Sequence, residues 1–130
     1  MKKVLIAASF LISINLFSAD IKNDNGSMNF PDLKLEKVEG ATYIALASKS
    51  GEAYIFGLAN DVFLDVEKGI KQQEVLGFYD SLNENKLDVE LYNVSLLENK
   101  LVVKPTYEDF TIEFTQDETN KIFKAVKEEK

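Results

Sequence analysis

The chain has 130 residues, 45% of them hydrophobic, and a formal charge of −7 from 22 acidic against 15 basic residues. Every basic residue is lysine, and histidine, cysteine and tryptophan do not occur. Disulfide staples are thereby excluded, the side chain best suited to proton transfer near neutral pH is missing, a zinc or copper site would have only oxygen donors, and nucleic acid finds no basic footprint.

Met1-Lys2-Lys3 gives a short positive start, and Val4 to Phe17 follows without a charge, Asn15 being its one strongly polar residue. Ser18-Ala19 then precedes Asp20. A positive start, an apolar run and a small residue at the exit are the parts of a secretory signal peptide, expected over residues 1–19. The run is shorter than the roughly 20 apolar residues of a membrane span. Phe17, three positions before a cut after Ala19, is bulkier than signal peptidases prefer. That cut would leave 111 residues (130 less 19), with no transmembrane segment, and would lower the charge from −7 to −9, because Lys2 and Lys3 go with the signal. The Lys-Lys start and compact apolar run look bacterial and point to the periplasm or the cell exterior.

Residues 20–30 are polar and lack periodicity, and they read as a flexible leader to a single β-rich domain over 31–130. Leu33 and Leu35 alternate with Lys34 and Glu36 as a strand. Ala41 to Ala47 and Ala53 to Leu58 are β-prone runs joined by Ser48-Lys49-Ser50-Gly51-Glu52, the pattern of a hairpin. Apolar residues at both parities suggest that both faces of this hairpin are covered and that it lies centrally in the sheet. Val62, Leu64 and Val66 predict a further strand, with Asp61, Asp65 and Glu67 on its opposite face and Lys68-Gly69 ending it. Val75, Phe78, Tyr79 and Leu82 fall at i, i+3, i+4 and i+7, which predicts a short helix over residues 70–82 although Gly77 opposes it. Leu87, Val89 and Leu91 predict a strand with those three side chains inward. Leu101 and Val103 form another, which Pro105 ends or places at an edge. Phe110, Ile112 and Phe114 form the last. Thr115-Gln116-Asp117-Glu118 fits a capping box, and Ile122, Phe123 and Val126 give the helix that follows one apolar stripe. The expected fold is α+β, an antiparallel sheet of about six or seven strands with a C-terminal helix. The alternative is a small β-barrel plus that helix, reached if residues 70–82 are strand.

Candidate sites are few. Asp61, Asp65 and Glu67 are the only nomination for a hard cation, and they read more simply as the wet face of a strand; no metal and no cofactor is expected. The leader's Asp24 and Gly26 fail as a calcium loop, because Ile21 would stand where the first aspartate must be. Lys49 beside Ser50 lacks the geometry that nucleophile activation needs, and a carboxylate hydrolase would require two carboxylates facing across a cleft. The glycosylation patterns at Asn25 and Asn93 read as chance. Most aromatic side chains read as core, with a minority able to line a cavity if the sheet curls.

Ser50-Gly51-Glu52-Ala53-Tyr54 resembles the Ser-Gly-x-x-Tyr motif of the bacterial periplasmic inhibitors of c-type lysozyme, small exported β-barrel proteins that insert a loop into the enzyme's cleft. That resemblance implies Ser50, Gly51 and Tyr54 as contact residues, and an acidic chain would be steered towards a cationic enzyme. The chain departs from the family's layout by placing more strands after the motif than before it, and by lacking cysteine and tryptophan. The expected function is therefore an exported, non-catalytic binding protein. Its partner would be another protein or a small apolar ligand rather than nucleic acid.

Overall fold

The computed structural model describes residues 19–81 and 86–128. Residues 1–18 of the expected signal peptide, and most of the loop expected after Leu82, lie outside the described residues. Nine strands form one antiparallel sheet: β1 (Ala19–Asn23), β2 (Gly26–Phe30), β3 (Asp32–Val38), β4 (Ala41–Ala47), β5 (Ala53–Ala59), β6 (Gln72–Ser81), β7 (Lys86–Leu97), β8 (Lys100–Pro105) and β9 (Thr111–Phe114). Helix α1 (Asn60–Glu67) follows β5 and helix α2 (Gln116–Lys127) follows β9. The strand order is β2-β1-β9-β8-β7-β6-β5-β4-β3.

Consecutive chain segments occupy the two edges of this sheet. β2 pairs with β1, β3 pairs with β4, and only Pro31 separates them. Gly26 to Val38 therefore behaves as one long strand that changes partner at a proline, a residue with no amide hydrogen to place in a ladder. This shared strand curls the sheet into a nearly closed barrel, as in the barrel alternative.

Inward side chains follow the period of two. Leu35, Ile44, Phe56 and Tyr79 stand in register on β3 to β6, and Leu101, Val103, Ile112 and Phe114 continue the lining on β8 and β9. Phe63 and Val66 of α1 and Ile122, Phe123 and Val126 of α2 are buried in the same core. The two helices pack on each other, α1 against β5 to β7 and α2 against β3 and β8. Lys37 reaches inward and donates to the Ala125 and Val126 carbonyls at the end of α2, where the helix dipole favours a cation.

Several expectations are corrected. The polar segment read as a leader is the β1–β2 hairpin: Asn23 pairs with Gly26 across a two-residue turn, and Ile21, Met28 and Phe30 supply its apolar face. The strand expected at Val62 to Val66 is helix α1. Phe63 and Val66, three apart, are its buried residues, and Lys68-Gly69 is a helix stop rather than a strand end. There the Gly69 amide donates to the Val66 carbonyl at 2.9 Å and the Ile70 amide to the Asp65 carbonyl at 3.0 Å, a Schellman closure with Gly69 at φ +93°. The helix expected over 70–82 is strand β6. Val75 and Tyr79, four apart, share its inward face, while Phe78 faces outward. A bulge precedes them: Gln73 and Glu74 oppose Asn93 alone, with Glu74 at φ 54°.

β7 has the opposite facing from that expected. Tyr92 and Val94 are the buried residues, so Asp88 and Glu90 share their inward parity and Val89 is exposed. Two large buried residues outweigh the alternation of the strand's first half. The β4–β5 hairpin, expected at the centre of the sheet with both faces covered, lies instead beside the edge strand β3, and β4 fully buries only its even-numbered residues. The capping threonine is in place: the Glu118 amide donates to Thr115 Oγ1 at 3.1 Å.

Candidate functional site at the barrel mouth

At the end of the barrel away from the helices, the β1–β2 hairpin and the start of β5 face each other across a groove of about 400 Å³. Ile21, Met28 and Phe30 line one wall, and Tyr54 and Phe110 line the other. Asn23, Asn25, Ser27 and Glu52 give it a polar rim. Alternation in β1 and β2 aims the apolar residues at the groove, and Phe110 enters it from the residue before β9. Asn23 Oδ1 accepts from the Asn25 amide at 2.8 Å and fixes the tip of the hairpin.

Beneath Tyr54 lies an aromatic cluster. Its ring is 5.7 Å from that of Phe56, 5.9 Å from Tyr79 and 5.6 Å edge-on from Phe110. The Tyr54 and Tyr92 hydroxyls share a hydrogen bond of 3.2 Å. Burial pushes both phenols well above the usual tyrosine range, and the nearby negative charge of Glu90 pushes in the same direction. Glu90 is itself raised, first by burial and then by the carboxylate of Glu108. The site thus combines aromatic walls with the carboxyl groups of Glu90 and Glu108 near the tyrosines. A second recess of about 490 Å³ lies outside the barrel beside the β1–β2 turn, but its lining is wholly polar, with Lys22 paired to Glu113 at 2.9 Å.

Of the three residues singled out by motif, only Tyr54 lines the groove. Ser50 and Gly51 sit on the exposed β4–β5 turn, where Ser50 Oγ lies 3.1 Å from Ser48 Oγ and the Gly51 amide donates to the Ser48 carbonyl. The motif's serine is thus spent on the turn itself, while its tyrosine points into the barrel. Asp61 and Asp65 stand one helical turn apart on α1, and Glu67 is engaged by Lys127 at 2.8 Å. Among the described residues no group of three or more acidic side chains is placed to hold a metal, and no helix is long and apolar enough to cross a membrane. Lys49 and Ser50 are adjacent on the same turn.

Sequence reasoning missed the groove's inner wall. The signal was present, since Asn23-Asp24-Asn25-Gly26 between Ile21 and Met28 is a run of turn residues, with the turn itself at Asp24-Asn25, but the surrounding polarity masked it. Comparison with protein-family models, with curated proteins and with solved structures finds no match to this chain.

Proposed function

We propose that this is an exported, non-catalytic binding protein whose site is the groove at the barrel mouth. Its ligand is a small molecule with an apolar or aromatic body and a neutral or positively charged end. The observation that carries this reading is the pairing of Ile21, Met28 and Phe30 with Tyr54 and Phe110 around a groove of about 400 Å³. Small-ligand sites are concave and mostly apolar, and volumes of roughly 300 to 1,000 Å³ are usual for them. Glu52 on the rim, with Glu90 and Glu108 beside the tyrosines, supports selection for positive charge, and tyrosine faces attract cations. The N-terminal residues support export.

The test is an NMR titration with three probes of one shape: benzylammonium, benzyl alcohol and benzoate. Amide shifts should gather at Met28, Ala53, Tyr54 and Phe110, with affinity falling from ammonium to alcohol to benzoate. Phe110→Ala should weaken the ammonium probe at least tenfold while leaving the circular dichroism spectrum unchanged. Shifts scattered over the surface, or no order among the three charges, would remove the reading.

A further inference from the structure

A second surface, on the outside of the barrel, has no place in ligand binding. The outward residues of β4 to β7 form rows that the strand register defines. Tyr43, Gly57, Phe78 and Val89 make one; Ala41 and Ala59 on β4 and β5, with Leu76 and Leu91 on β6 and β7, stand in the next; Ala45 and Ile55 lie beyond the first. Asp80 takes the next position of the same parity on β6, opposite Leu87, and bounds the patch at that end. Leu76 and Val89 are each 58% exposed and Phe78 is 38% exposed, so among the described residues nothing covers them. The outward facing of Val89, contrary to its alternation, is what completes the patch.

The patch has two unlike halves. β6 and β7 carry a ridge of Leu76, Phe78, Val89 and Leu91. β4 and β5 carry a shallow trough bounded by Ile55, because Ala41, Ala45 and Ala59 are small and Tyr43 lies flat over Gly57, where an added Cβ would meet its ring at 2.5 Å. Rotation by half a turn about an axis between β5 and β6 sets the ridge of one molecule over the trough of another. A twofold interface needs such self-complementarity, with residue i meeting j and j meeting i.

We infer that this outer face of β4 to β7 is a dimer interface, occupied by a second copy of the same chain. With strands about 4.8 Å apart and alternate residues about 6.8 Å apart, the patch measures roughly 20 by 20 Å once side chains are included. Two such faces bury about 800 Å² of apolar surface, below the roughly 1,000 Å² of a stable interface, so the contact is a weak, concentration-dependent one. The charge of −9 expected on each exported copy (−7 less Lys2 and Lys3) opposes the contact at a distance, so salt strengthens it.

Sedimentation velocity on the exported form of the chain, from 1 to 300 μM, tests the inference. A monomer–dimer equilibrium is expected, shifted towards dimer by 0.5 M sodium chloride. Leu76→Lys and Val89→Lys, both at exposed positions, should each weaken association at least tenfold with unchanged thermal melting of the monomer. Ile70→Lys, at an exposed position outside the patch, should leave association unchanged. A monomer throughout the range overturns the inference, and so does a monomer that instead floats with anionic or zwitterionic vesicles. A dimer indifferent to both lysine substitutions overturns it equally.

Discussion

A Cβ at position 77 would stand 2.6 Å from Leu58 Cδ2 and 2.7 Å from the ring of Tyr92, in the core of the barrel. Gly77→Ala should therefore cost about 1 to 3 kcal/mol, as overpacking does, read as a lower urea midpoint. Gly57→Ala meets Tyr43 as closely, but that ring lies on the outer face and can swing away, so the loss should be smaller. The buried phenols make a pH prediction. Tyr54 and Tyr92 are raised in the folded state above the usual value near 10, so the protein keeps their protons after the unfolded chain has begun to lose them. Stability from this source is full below about pH 10 and is lost as pH rises further. The wild type should lose stability between about pH 10 and 11 more steeply than Tyr54→Phe/Tyr92→Phe. Equal slopes for the two proteins would contradict the assignment.

Among the elements, those whose local rules agree with their surroundings were readable. Thr115 caps α2 as its spacing implied, and Thr115→Ala should lower stability by about 1 kcal/mol. Gly69→Ala should cost a similar amount, about 1 kcal/mol, because a side chain is strained at φ +93° and α1 would lose its C-terminal closure. Both are measurable by thermal or chemical denaturation. The misread elements fail for identifiable reasons. Val62, Leu64 and Val66 fit a strand and a helix almost equally, and the deciding residue is Phe63, which packs inward only if the segment is helical. Val75 and Tyr79 likewise fit both periods, being four apart, and Gly77 between them carries no side chain to show the alternation, while Phe78 is apolar although it faces outward. The β1–β2 hairpin is polar on its exposed face because it is an edge. Its apolar residues make sense only once Tyr54 and Phe110 are seen across the groove.

For the molecule as a whole, closure depends on one bent strand, and no local pattern announces that. Phe30 is buried at the bend, between β1 and the core. Phe30→Ala should cost about 3 to 5 kcal/mol and should also widen the groove, so the benzylammonium probe loses affinity even where the protein remains folded. Sheet content and the terminal helix could be inferred from alternation and capping. The ring was reachable only as the alternative that turned on residues 70–82 being strand, because it joins residues distant along the chain; the site was not reachable, because it exists only across that ring. The shared strand works as a latch with one hand on each rim of the barrel. Hydrogen–deuterium exchange should reveal this as a single cooperative opening: the amides holding β2 to β1 and those holding β3 to β4 should become labile together, with one dependence on denaturant, although they protect opposite borders of the sheet. If Pro31 insulated the two halves, the borders would exchange independently.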